Sequence, residues 1–204
     1  TALAGETYRR SERAVRIEHV RPRDALEFIV AVERRIELLE KQADAARSAA
    51  ETIAKKLLNR GVLWIYDRRG GLDRELAGGA GAPAFARSIT PREITDGTLR
   101  PIDALLFASI ESNHPEDLHT IRMARGVTNA IVAVCPHDER GGYRIFNEAP
   151  FSLDNVSPEK DGIKTFDNDA RTFLHTGGVL NGAILWMLAG EVVGKLIGAG
   201  RVPE

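Results

Sequence analysis

The residues of this chain that are best suited to chemistry stand together in one short loop. The apolar run Ala104–Ala108 stops at small polar residues, and Pro115 then begins a predicted helix. Unpaired N–H groups and the helix dipole make such a strand-to-helix junction favourable for an anion. Glu111 is the candidate general base for a proton transfer, and His114 is its candidate partner. The candidate ligand-binding groups of the loop are Ser109, Ser112 and Asn113.

Each of these loop residues also has a purely structural interpretation. Glu111 is alternatively a solvated loop acid, and His114 a residue that caps the helix. Ser112 or Asn113 is well placed to cap the same helix, because short polar side chains are favoured at the N-cap. The loop sequence leaves the catalytic and the structural interpretation open.

A second group of candidates follows the first predicted strand. Arg68 and Arg69 suit bidentate recognition of a phosphate or a carboxylate, and Gly70 and Gly71 complete the candidate binding loop. The alternative is a surface ion pair of these arginines with a neighbouring aspartate.

The last predicted helix begins at His175-Thr176, and its N-terminus is a third candidate position. His175 is a candidate acid–base group, and Thr176 is a candidate substrate-binding group, in this subunit or in its neighbour. No histidine pair has the spacing of a metal site, so the sequence predicts no metal. The one cysteine, Cys135, ends an apolar run and is interpreted as a buried, inert thiol.

Regular elements must position these groups, and hydrophobic periodicity predicts an alternation of strands and helices. One long helix is expected from Asp24, as N-cap, to about Asn59, and others at 73–80, 115–125 and 176–199. The predicted strands are 62–66, 84–89, 104–108 and 130–135, with a fifth near 143–146 and a short edge piece at 151–153. Residues 147–171 show no clean period and are expected to form a loop.

Composition excludes several classes of protein. The 204 residues are 43% hydrophobic and 28% charged, as in a globular domain. A net charge of −1 gives no electrostatic reason to expect nucleic acid or an anionic membrane as partner. No apolar run approaches the length of a membrane span. We expect an N-terminal arm over 1–23 and a single domain over 24–204, in the cytoplasm or, alternatively, exported after removal of a signal.

The order of the elements resembles the SIS (sugar isomerase) domain, and more narrowly the phosphoheptose-isomerase-like, phosphosugar-binding SIS proteins of bacteria. The resemblance covers about residues 25–200. Asp103–Cys135 is similar to the family's stretch of an acid, an apolar strand, a Ser-x-Ser-Gly loop, a helix and a second apolar strand. Gly190-Glu191-Val192-Val193, with Leu196 and Ile197, is similar to the end of the family's last helix.

Both phosphate-binding loops depart from the family pattern. The family's first loop reads Gly-x-Gly-x-Ser, whereas this chain reads Arg69-Gly-Gly-Leu-Asp73, in which Gly71 is the matched glycine. In the second loop Ser109 matches the first serine, Glu111 replaces the second and Ser112 replaces the glycine. Either the phosphate site is rebuilt around arginines, or the ligand is not a phosphosugar.

The resemblance implies a doubly wound αβα sandwich with a mostly parallel five-stranded sheet and a long N-terminal helix. It also implies a homodimer or a dimer of dimers, a sugar phosphate at the strand ends, and no metal or organic cofactor. As an enzyme, the protein would be an aldose–ketose isomerase with Glu111 as base and His114 or His175 assisting. The alternatives are a phosphosugar-sensing module without catalysis and a structural dimer whose cleft has decayed.

Overall fold

The computed structural model describes residues 22–68, 72–78, 82–137, 144–158, 161–162, 164–166 and 169–201. The predicted N-terminal arm lies almost wholly outside these residues. The helices are α1 (Pro22–Leu39), α2 (Ala43–Leu58), α3 (Leu72–Gly78), α4 (Pro91–Thr95), α5 (Pro115–Arg125), α6 (Ile145–Glu148) and α7 (Gly177–Gly198). The strands are β1 (Leu63–Asp67), β2 (Ala86–Ser88), β3 (Ala104–Ala108), β4 (Ile131–Cys135), β5 (Phe151–Asp154), β6 (Lys164–Phe166) and β7 (Asp169–Phe173).

The first five strands form one parallel sheet in the order β2-β1-β3-β4-β5. The chain leaves β1 toward one edge and returns to β3 on its other side, so that β1 and β3 lie at the topological switch point. In open α/β sheets, ligands bind at the carboxyl ends of the strands at such a point. The predicted fold class is therefore confirmed. From this topology we expect a ligand site at the residues that follow β1 and β3.

Alternate residues of the strands serve two separate hydrophobic cores. Leu106 and Val132 face a core built with α2 and α7, whereas Phe107 and Ile131 face a core built with α4, α5 and α6. The strands β3 and β4 are buried at every position. Their unbroken apolar sequences reflect this double coverage, as is usual for parallel sheets.

The long N-terminal helix is present, with one 3-10 turn at Glu40–Gln42 between α1 and α2. At this turn the side chain of Gln42 makes two hydrogen bonds with the backbone of Asp154, of 2.6 and 2.7 Å. The long helix is therefore interrupted where Gln42 contacts the end of β5, and its hydrophobic periodicity did not predict this interruption. Asp24 is not the N-cap, because α1 already begins at Pro22.

Two further predictions of local structure are wrong, and one short helix was not predicted. Residues 145–148 form helix α6 and not a strand, whereas the short edge piece expected at 151–153 is confirmed as β5, an edge strand of the sheet. Residues 147–171 contain β5, β6 and the start of β7, of which the last two pair as an antiparallel hairpin. Helix α4 was missed although its sequence carries a capping box between Thr90 and Glu93. Short apolar segments do not distinguish strand from helix, which explains the first error.

Helix α7 is long and apolar enough to cross a membrane when judged by length and composition alone. The expectation that no segment reaches this length is therefore corrected for this helix. Length and composition alone do not distinguish a membrane-spanning helix from the core helix of a soluble protein. Here Leu180, Ile184 and Leu188 of α7 are at most 1% exposed and belong to the core against α2 and the sheet.

Candidate functional site

The ends of β1 and β3 place the two main groups of predicted site residues side by side. Asp67 of β1 pairs with Ala108 of β3, so that Arg68 and Ser109 leave the sheet at the same level. Parallel strands end at a common edge, and their following residues meet there. The structure therefore brings together Arg68 and the loop that begins at Ser109.

The centre of this junction is Asp117, in the first turns of α5, which sequence analysis did not select. Its carboxylate accepts hydrogen bonds from the Ser109 hydroxyl at 2.7 Å and from the Tyr66 hydroxyl at 3.0 Å. Nε of Arg68 lies 3.2 Å from Asp117 Oδ1 as an ion pair, without the geometry of a hydrogen bond. The Asp117 side chain is 1% exposed, so its charge is balanced by the protein rather than by water.

Tyr66 supports this carboxylate from inside the sheet. Its ring stacks on Phe107 with centroids 4.5 Å apart, which fixes the direction of its hydroxyl. Burial, and then the adjacent Asp117 carboxylate, raise the pKa of the Tyr66 phenol. The phenol is consequently protonated at neutral pH and acts as a permanent hydrogen-bond donor to Asp117.

Glu111 also lies beside Arg68. Its Oε1 is 3.5 Å from Nη2 of Arg68, and its side chain is 46% exposed. The backbone N–H of Glu111 donates to the Ser109 hydroxyl at 3.2 Å, which closes a tight turn of the loop. The carboxylate proposed as a general base is thus accessible, although it shares one guanidinium with Asp117.

The remaining loop residues have less direct positions. The N-cap of α5 is His114, whose side chain makes no capping hydrogen bond, so neither Ser112 nor Asn113 caps the helix. In the described part of the chain, Nδ1 of His114 is buried without a hydrogen-bond partner. Ser112 is buried and its carbonyl accepts from the N–H of Ile145, whereas Asn113 is exposed.

The residues at the start of α7 belong to a different cluster. Thr176 is fully buried and contacts Arg35 of α1 and the carboxylate of Asp161, the latter at 2.9 Å. Asp161 also accepts a 2.6 Å hydrogen bond from the N–H of Gly177, which stabilises the helix end. His175 is exposed. Among the described contacts, none joins either residue to Ser109; their roles in binding or catalysis stay predictions. Arg69, Gly70 and Gly71 lie outside the described residues.

A pocket of about 570 Å³ opens next to this junction, between the ends of β1 and β2 and the first turns of α5. Arg68 forms one wall, and Glu116, His119 and Thr120 of α5 form another. Thr90, which precedes α4, also lines the pocket, and its hydroxyl is hydrogen-bonded to Glu93. The volume is in the usual range for small-molecule sites, and the polar groups converge from three segments of the chain.

Sequence analysis missed most of the pocket, since among its candidates that lie within the described residues only Arg68 contributes to the lining. One signal was present: Glu116, His119 and Thr120 are spaced i, i+3 and i+4, which places them on one face of a helix that begins at Pro115. The contribution of Thr90 depends on tertiary structure. Among the described residues, no group of three His, Cys, Asp or Glu side chains is arranged to hold a metal ion.

Solved structures with the same architecture identify the fold. A Bacteroides fragilis protein, a proposed phosphosugar isomerase involved in capsule formation, superposes with a TM-score of 0.56 and 16% identity over 82% of this chain and 91% of its own. A proposed sugar-phosphate isomerase from Listeria monocytogenes superposes with a TM-score of 0.55 and 16% identity over 90% and 95% of the two chains. The chain has the fold of the SIS domain.

A third SIS-like structure extends the likeness to an archaeal protein. It is a hypothetical protein from Methanococcus jannaschii, whose function as a 3-hexulose-6-phosphate isomerase was inferred from its structure. It superposes with a TM-score of 0.53 and 16% identity over 83% of this chain and 91% of its own. No protein-family model matches the sequence, and no curated protein matches it either. At this level of identity the SIS neighbours show the fold alone.

Proposed function

We propose that this SIS-fold chain binds a sugar phosphate or a similar anionic sugar metabolite in the pocket beside Arg68. The observation that carries the proposal is the pocket of about 570 Å³ at the carboxyl ends of β1 and β2, with Arg68 among its lining residues. A guanidinium offers forked donors that match a phosphate or carboxylate oxygen pair. The exposed side chains of Glu116 and His119 offer hydrogen-bonding groups for sugar hydroxyls. The structural neighbours support the choice of a sugar metabolite, because they are proposed to act on sugar phosphates.

Binding is tested by calorimetric titration with matched sugar phosphates, free sugars and sugar acids. We expect Arg68→Ala to weaken binding of the anionic member by about tenfold or more, because a charge-assisted contact is lost. His119→Ala removes an exposed pocket side chain and is expected to weaken the same ligand by about threefold. Arg47→Ala is the control, since Arg47 is an ion-paired arginine on α2, bonded to Asp44 at 2.6 Å.

Because Arg68 also faces the buried Asp117, the stability of each variant is measured beside its affinity. Equal binding by wild type and a folded Arg68→Ala variant would overturn the assignment of Arg68. No binding by any member of the three ligand classes would overturn the proposed function itself, and would favour the structural dimer.

Isomerisation is the second candidate function, favoured by one specific observation. The Glu111 carboxylate is nearly half exposed and lies 3.5 Å from the pocket arginine, so a ligand on Arg68 comes near a possible base. An aldose–ketose isomerase exchanges the substrate proton on the carbon next to the carbonyl, and this exchange is visible by proton NMR in D2O. Exchange that Glu111→Gln abolishes would establish the enzyme, whereas binding without exchange would establish the sensing module.

We also propose a homodimer or a dimer of dimers, formed through α1 and α7. Leu26 and Ile29 of α1 are each 60% exposed, and Val179 and Trp186 of α7 are 47% and 41% exposed. Apolar side chains of this size on two helices suit a protein–protein contact. Light scattering during size-exclusion chromatography tests the state, with Leu26→Asp/Ile29→Asp expected to yield monomers. A monomeric wild type would contradict the proposal.

A further inference from the structure

The junction of β3 and α5 has the components of an anion site, but the anion that it holds belongs to the chain. The Ser109 and Tyr66 hydroxyls donate hydrogen bonds, and the Arg68 guanidinium forms an ion pair; the three groups come from β1 and from the loops after β1 and β3. All three converge on Asp117, at distances of 2.7, 3.0 and 3.2 Å respectively. Charge-assisted contacts of this kind are those that would otherwise hold a ligand oxyanion.

Asp117 is integrated in the fold and is not a surface group that a ligand displaces. It is the third residue of α5, a helix of 11 residues, so its charge also lies near the positive end of the helix dipole. Both carboxylate oxygens are used, since Oδ2 accepts from Ser109 and Oδ1 accepts from Tyr66. The Ser109 carbonyl is in turn bound at 3.0 Å by the Asn181 amide of α7, which keeps the loop against the helix.

We infer that Asp117 is a specificity-determining residue: its carboxylate takes the position of a ligand phosphate, so that the ligand is bound without any phosphate on Ser109. The inference rests on the proposed function and refines it. An anionic group of the ligand contacts Arg68 from the pocket side, where Glu116 and His119 line the same space. A second anion on Ser109 is disfavoured by repulsion from the adjacent carboxylate in a poorly solvated site.

Inorganic phosphate is the probe, because it tests the junction without any assumption about the sugar. Binding is followed by ³¹P NMR for wild type, Asp117→Ser and Asp117→Asn. We expect a gain in phosphate affinity of about tenfold or more for Asp117→Ser, which removes both the charge and its volume. A smaller gain is expected for Asp117→Asn, which removes the charge but keeps the volume of the side chain. Because this change disturbs packing less, it serves as the test if the serine variant fails to fold.

Two matched variants separate this explanation from a general loss of negative charge. Asp44→Asn removes one exposed charge from α2, outside both the junction and the pocket lining, and is expected to bring no gain in phosphate affinity. Adding Ser109→Ala to the Asp117 variant is expected to abolish the gain, because the freed hydroxyl is the proposed phosphate contact. An equal gain in Asp44→Asn, or no gain in a folded Asp117 variant, would overturn the inference.

The same experiment distinguishes failure of the inference from failure of the proposed function. If wild type binds a sugar phosphate and Ser109→Ala alone weakens it by about tenfold or more with the fold intact, the function stands and the inference is wrong. If wild type binds no sugar ligand but Asp117→Ser gains phosphate affinity, the inference stands and the function is wrong.

Discussion

The side-chain amide of Asn181 donates a hydrogen bond of 3.0 Å to the backbone carbonyl of Ser109, and thereby ties the last helix to the loop after β3. The amide oxygen of Asn181 accepts from Asn155 at 2.7 Å, and both asparagines are at most 1% exposed. This buried amide pair connects the carboxyl ends of β3 and β5 through α7. Buried polar groups with complete hydrogen bonding specify one arrangement of a core, because any displacement leaves a group unsatisfied.

Asn181→Ala is expected to lower the free energy of unfolding by about 2 kcal/mol, because the Ser109 carbonyl and the Asn155 amide each lose a buried partner. Asn181→Asp should cost more, since a buried carboxylate cannot donate to the Ser109 carbonyl. Urea denaturation measures both, with the exposed Asn113→Ala as control. A loss for Asn181→Ala no larger than that for the control would contradict the role assigned to the amide pair.

Asp103, at the opposite end of β3, is expected to make stability depend on acid pH. Burial raises the pKa of its carboxyl group, but hydrogen bonds from Arg100, from the Val62 N–H and from the Trp64 indole outweigh this and lower the pKa. A lowered folded-state pKa stabilises the protein at pH values above the unfolded value of about 3.9.

The difference in unfolding free energy between wild type and Asp103→Asn should therefore be constant from neutral pH down to about pH 4. It should shrink as the pH falls further, through the folded-state pKa of Asp103. Denaturation curves across this range measure it. A difference that grows on acidification would have the wrong sign and would refute the assignment.

Gly61 is required by a close backbone approach. A Cβ atom at this position would lie 2.1 Å from the Ile102 carbonyl oxygen and 2.9 Å from that of Lys56. Both neighbours are backbone atoms that cannot rotate away, so Gly61→Ala is expected to destabilise by about 1–3 kcal/mol. Gly190→Ala is the control: within the described residues, no atom beyond the adjoining helix backbone and chain neighbours lies within 4 Å of the new Cβ in α7, so the change should be neutral or stabilising. Thermal melts of the two variants with the same sign of shift would contradict this explanation.

Cys135 is expected to be unreactive in the folded protein. Burial, and then the nearby Asp154 and Asp117 carboxylates, raise the pKa of its thiol, so little thiolate forms near neutral pH. Labelling by a thiol-specific disulfide reagent at pH 8 should occur at the rate of unfolding, and should be immediate in guanidinium chloride. Fast labelling of the native protein would show that the thiol is accessible.

Several parts of the fold were predictable because local pattern and tertiary environment agree. The apolar run Ala104–Ala108 is a strand as expected, since it is covered on both faces. Helix α5 occupies Pro115–Arg125 as expected, because a proline suits its first turn and an apolar face suits the core. Between residues 144 and 171 the sequence has short segments with mixed patterns; there the edge strand at 151–153 was predicted correctly, whereas helix α6 and the β6–β7 hairpin were not.

Short-range periodicity, turn residues and helix starts were sufficient to predict the alternation of elements and the loop after β3. The environment of that loop depends on long-range packing. Asp117 meets Tyr66, Arg68 and Ser109 because β1 and β3 are adjacent and end at the same level. The residues of this cluster are up to 51 positions apart. No local pattern encodes that adjacency; it results from packing two strands and a helix into one core.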